Sequence, residues 1–69
     1  MDKVEYGWLE VKKEMSDEFK IFLKQMEVVW DASETEDGYI HFRIYQYTEA
    51  EEEAIDRKVD ELWKKYTSK

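Results

Sequence analysis

The chain has 69 residues, a formal net charge of -7 and a pI near 4.6. It contains no cysteine, which excludes disulfide staples and thiolate metal sites. Its acidity argues against direct nucleic-acid binding, which selects a basic footprint, and against attraction to anionic membranes. At this length, residues 1–69 form a single acidic α+β domain that buries only about 60% of its unfolded surface.

Lys3 to Lys12 predicts a strand. Val4, Tyr6 and Trp8 share one face, whereas Leu9 and Val11 fall on the other, and a bulge near Gly7 would reconcile the two runs. Met1-Asp2-Lys3 is not a secretory leader and no apolar run approaches a membrane span, so the expected location is cytoplasmic.

Ser16 to Met26 predicts a short helix in preference to a strand through Lys20–Leu23. Ser16 is its expected cap, Asp17 and Glu18 suit its first turn, and Phe19, Phe22, Leu23 and Met26 form its core face. Glu27 to Ala32, with its β-branched residues and Trp30, predicts a second strand. Ser33 to Gly38 is a turn carrying the Asp37-Gly38 hairpin signal. Tyr39 to Tyr47 is the clearest strand. Ile40, Phe42 and Ile44 alternate with Tyr39, His41, Arg43, Tyr45 and Tyr47.

Thr48 to Tyr66 predicts a long amphipathic helix. Thr48 and Glu51 form a capping box, and Ile55, Val59, Leu62 and Tyr66 make the apolar stripe. Glu53–Arg57, Asp60–Lys64 and Glu61–Lys65 are i,i+4 pairs in the favourable order. The expected fold is β-α-β-β-α, a three-stranded, mainly antiparallel sheet with two helices on one face.

The acidity is concentrated. Glu27 to Glu61 holds twelve acids and three bases, against six acids and eight bases elsewhere. Glu49, Glu53, Asp56 and Asp60 recur at helical spacing along about 16.5 Å of the last helix. Asp31, Glu34, Glu36 and Asp37 cluster around the hairpin turn. Acids in a first helical turn and in a hairpin also have ordinary structural uses, so neither cluster is diagnostic alone.

No catalytic signature is present. His41 is the lone histidine and lacks a ligand set or nucleophile partner. Asp31, Ser33, Thr35 and Asp37 mimic the start of a calcium loop. Glu36 then occupies the glycine position and Phe42 the bidentate glutamate position, which excludes an EF-hand. The expectation is a protein without enzymatic activity, metal or cofactor.

In size, acidity and carboxylate rows, the whole chain resembles the small acidic proteins that bacteriophages encode to disable host DNA-binding proteins by mimicking DNA, such as inhibitors of the nucleoid protein HU. That resemblance implies an anionic binding module acting in the host cytoplasm. Glu49, Glu53, Asp56 and Asp60 would contact a basic DNA-binding partner, with Asp31, Glu34, Glu36 and Asp37 assisting. Tyr39, Tyr45 and Tyr47 on the non-core sheet face would build a homodimer. The alternatives are a small structural or designed α+β domain whose acidity only confers solubility, and a toxin-neutralising partner.

Overall fold

The computed structural model describes residues 4–67; the Lys3 start of the expected first strand lies outside them. The elements are β1 (Val4–Lys12), α1 (Lys13–Met26), β2 (Val29–Glu34), β3 (Tyr39–Tyr47) and α2 (Glu49–Thr67). The sheet is antiparallel throughout, in the order β1-β3-β2. β3 is central because it carries the most regular alternation. Ile40, Phe42 and Ile44 point inward and are buried, and both helices cover that face. Phe19 of α1 meets Phe42 edge-on at 4.8 Å, and Leu23, Ile55 and Leu62 complete the core. β2 is exposed apart from half-buried Trp30.

Three sequence expectations are corrected. First, α1 begins at Lys13, directly after β1, and Ser16 is not its cap. Ser16 lies inside the helix, buried, with its hydroxyl donating to the Lys13 carbonyl at 2.8 Å. The free N–H of Lys13 donates instead to the Gly38 carbonyl at 3.3 Å. A tertiary contact with the hairpin thus satisfies a helix-start donor that the sequence reading assigned to a side chain.

Second, β2 starts at Val29 rather than Glu27. Glu27 terminates α1 in the left-handed region at φ 60°, its N–H donating to the Lys24 carbonyl. The following hairpin closes through Thr35. Its N–H donates to the Tyr39 carbonyl at 2.8 Å, and its hydroxyl accepts from the Tyr39 N–H at 3.2 Å. Gly38 supplies the positive φ of 82° that such a turn needs.

Third, β1 has no bulge at Gly7. Its register with β3 is continuous from Tyr6↔Tyr45 to Lys12↔Tyr39, so Gly7, Leu9 and Val11 face inward while Tyr6 and Trp8 face outward. The irregular residue is across the ladder. Gln46 has φ 55°, and the alternation of β3 breaks there. Tyr47 therefore turns into the core, where it is 7% exposed, instead of standing on the outer face with Tyr45. Its ring lies over Gly7. A Cβ on Gly7 would overlap the Tyr47 hydroxyl and approach the ring carbon Cζ to 3.0 Å. Gly7 is a close-approach glycine, which sequence spacing alone cannot distinguish from a bulge.

The outer face also differs from expectation. Tyr39 is drawn toward α2, its ring 6.4 Å from that of Trp63. Tyr45 stays outside, 5.7 Å from Tyr6, and Trp8 stacks on His41 at 5.2 Å. Of the three tyrosines assigned to a dimer face, only Tyr45 occupies it.

The two helices are joined at their polar margin. The Lys65 ammonium and the Tyr66 hydroxyl both donate to one oxygen of Glu18, at 2.8 and 2.5 Å. The hydrogen bond from Lys65, followed by that from Tyr66, holds the Glu18 carboxyl below its ordinary 4.5. A carboxyl with a depressed folded pKa stabilises the fold fully above its unfolded value and loses that contribution as pH falls through the folded value. Glu18→Gln should therefore be less stable than the parent at neutral pH. Urea titrations across the acid range should show the gap closing below pH 4.5 and disappearing once Glu18 is protonated in both states.

The contact over Gly7 gives a second expectation. Gly7→Ala should cost about 1–3 kcal/mol through overpacking against the Tyr47 hydroxyl. Tyr47→Phe introduced into that background should recover part of the loss, with a coupling of at least ~0.5 kcal/mol between the two sites. Urea unfolding of the four proteins measures this. Strict additivity would mean that the two side chains do not meet.

Candidate protein interface

The N-terminal half of α2 is where acidic side chains converge. The capping box forms as expected. The Thr48 N–H donates to the Glu51 carboxylate at 2.8 Å, and the Glu51 N–H donates to the Thr48 hydroxyl at 3.1 Å. This fixes the first turn, where Glu49, Glu51 and Glu52 also meet the positive end of the helix dipole. Glu49, Glu53, Asp56 and Asp60 are all exposed along the helix.

Ion pairing divides the acids into two groups. Asp60 is bound by Lys64 at 3.1 Å, Glu61 by Lys58 at 3.2 Å, Glu34 by Lys13 at 2.9 Å and Glu18 by Lys65 at 2.8 Å. Glu10 faces His41 at 3.3 Å. The expected Glu61–Lys65 pair does not form, because Lys65 reaches across to α1. Among the described residues, Glu53 and Arg57 form no ion pair. Glu49, Glu52, Glu53 and Asp56 likewise have no cationic partner among them. They form the unneutralised section of the helix, and Asp60, although on the same row, is not part of it.

The hairpin acids stand apart. Asp31 lies on the outer face of β2 and accepts a hydrogen bond from Tyr45 at 3.0 Å. Glu34 is held by Lys13, and Glu36 and Asp37 are exposed in the turn. The nine residues of β3 separate this turn from Glu49, a distance of roughly 25–30 Å by strand rise. The eight acids picked out in the sequence therefore do not make one surface.

Beside the unpaired acids is a cleft of about 380 Å³ between α2 and the β1 edge of the sheet. One wall is the run Tyr6 to Leu9, and the floor is Ile44 and Ile55. Tyr47 enters from the end of β3, and Glu52 and Asp56 stand on the helix side. No basic residue lines it. Burial, followed by the charges of Glu52 and then Asp56, pushes the Tyr47 phenol above its ordinary 10.0. Its hydroxyl has no hydrogen-bond partner among the described residues.

Glu52 was absent from the sequence-based site. The available signal was the like-charged i,i+4 pair Glu52–Asp56, which an isolated helix disfavours. Tyr47 could not have been placed there, since its inward turn depends on the backbone at Gln46.

His41 is a half-buried strand residue, stacked on Trp8 as described. Among the described residues, no group of three or more histidine, cysteine or acidic side chains is placed to hold a metal ion, and no helix is long and apolar enough to cross a membrane. No family model matches the chain, and neither a curated protein nor a solved structure shows significant similarity to it.

Proposed function

We propose that this chain is a non-enzymatic anionic module that occupies the DNA-binding surface of a basic protein and blocks it, in the manner of small acidic phage DNA mimics directed at nucleoid proteins such as HU. The observation that carries this reading is the unneutralised run Glu49, Glu52, Glu53 and Asp56. These acids lie on one capped helix and have no cationic partner among the described residues, whereas Asp60 and Glu61 further along it are held by lysine. Seven helical steps span about 10 Å, so charge is spaced at roughly 3 Å along the axis. Duplex DNA carries one charge per ~1.7 Å, so the likeness is coarse and the interaction is collective. Single exposed pairs contribute only about 0–1 kcal/mol. The hairpin acids Asp31, Glu34, Glu36 and Asp37 assist only where a partner spans both ends of the sheet.

The same reading includes a homodimer through the outer sheet face. There Tyr6, Trp8 and Val29 are 48%, 61% and 60% exposed, and Tyr45 lies among them. Tyr39 and Tyr47 are not part of that surface.

A competition assay tests the main reading. The chain should displace duplex DNA from HU at low salt, with displacement weakening steeply as salt rises. Replacing Glu49, Glu52, Glu53 and Asp56 together by Gln should reduce displacement and flatten its salt dependence, with helix content checked by circular dichroism. Absence of displacement at low salt would count decisively against HU as the partner. Light scattering on the same samples should give a mass near twice the 8.5 kDa chain; a monomer at micromolar concentration would remove the dimer.

A further inference from the structure

We infer that the cleft between β1 and α2 is a receptor for an arginine side chain presented by a basic protein segment. The inference deepens the preceding reading by naming the contact that would anchor such a partner, and it rests on that reading only for the partner's basic character.

Three features of the cleft lead to it. Two carboxylates, Glu52 and Asp56, stand on the helix side with no cation paired to either among the described residues and no basic side chain in the lining. Tyr47 is 7% exposed, yet among the described residues its hydroxyl has no hydrogen-bond partner, and it lies over Gly7 in the cleft. No buried side-chain polar atom of the described residues lacks a partner, so this hydroxyl keeps access to solvent through the cleft. The opposite wall, Tyr6 to Leu9, belongs to an edge strand, whose alternate backbone groups face away from the sheet.

This is a set of acceptors around an apolar floor. A guanidinium brings five donors in a fixed planar fork and is weakly hydrated, so it can engage two carboxylates and a phenolic oxygen while its stem lies on Ile44 and Ile55. An ammonium is compact and strongly hydrated, offers three donors and loses more on leaving water. The volume also suits one extended side chain better than a folded segment. The outer-face aromatics Trp8 and Tyr6 are not needed for this contact, because their rings are engaged with His41 and Tyr45.

The test uses the full chain, isotope-labelled, with short oligo-arginine and oligo-lysine peptides followed by NMR and calorimetry. Oligo-arginine should shift the amides of Gly7, Leu9 and Tyr47 and bind more tightly than oligo-lysine of the same length. Glu52→Gln with Asp56→Asn should weaken arginine binding about tenfold or more. A control pair removing the same charge elsewhere, Glu27→Gln with Glu36→Gln, should change it by about twofold at most. Tyr47→Phe keeps the ring and should cost about threefold, which a purely electrostatic sink would not show. Equal losses from both charge pairs, or equal binding of the two peptides, would overturn the assignment. The two readings fail separately. DNA displacement from HU together with oligo-arginine binding that is indifferent to the cleft pair would sink the arginine receptor alone. Arginine binding in the cleft without DNA displacement would sink the HU reading alone.

Discussion

The placement of Tyr47 is the constraint on which the rest of this small fold depends. Gln46 adopts φ 55° at the end of β3, so the next side chain is turned from the outer face into the core. A non-glycine residue in that region costs on the order of 1 kcal/mol and persists only where its surroundings compensate. Here the compensation is burial of an aromatic ring between the sheet and α2. That ring can lie there only because Gly7 has no side chain. One backbone irregularity thus ties together β1, β3 and the helix that follows, and it leaves a phenolic hydroxyl beside two carboxylates.

The charge arrangement follows from the same geometry. α2 starts two residues after Tyr47, so its acidic first turns are fixed against the end of the sheet where the ring is buried. Like charges at i,i+4 cost a few tenths of a kcal/mol each. The helix dipole and the capping box offset much of this near Glu49 and Glu52. Further along, lysines neutralise Asp60 and Glu61, and Lys65 crosses to Glu18 to hold the two helices together. Cations thus pair acids in the second half of α2 and, at Lys65, across to α1, while none lines the cleft.

Much of the fold was legible because it rests on local periodicity. β3 and α2 have regular alternation and a helical stripe, and the Thr48–Glu51 capping box is a local pattern that forms as the residues suggest. The start of α1 was misplaced because the donor at Lys13 is satisfied by the carbonyl of Gly38, a partner distant in sequence. The role of Gly7 is not legible, since a glycine that admits a neighbouring ring and one that breaks a ladder look alike in sequence. The acids of α2 were visible as a row. Their division into paired and unpaired members was not, because the same i,i+4 spacing offers Lys64 to Asp60 and Arg57 to Glu53, and among the described residues only the first of these pairs forms. Glu52 became significant only through its neighbours in space.

The most direct measurement is a backbone amide map of the labelled chain during titration with HU at low salt. The largest shifts should fall on the Glu49–Asp56 segment and on Gly7, Leu9 and Tyr47, and they should diminish together as salt is raised. Shifts concentrated at Thr35–Gly38 or on the outer sheet face around Trp8 and Tyr45, with the α2 cleft silent, would contradict the assignment of the interface.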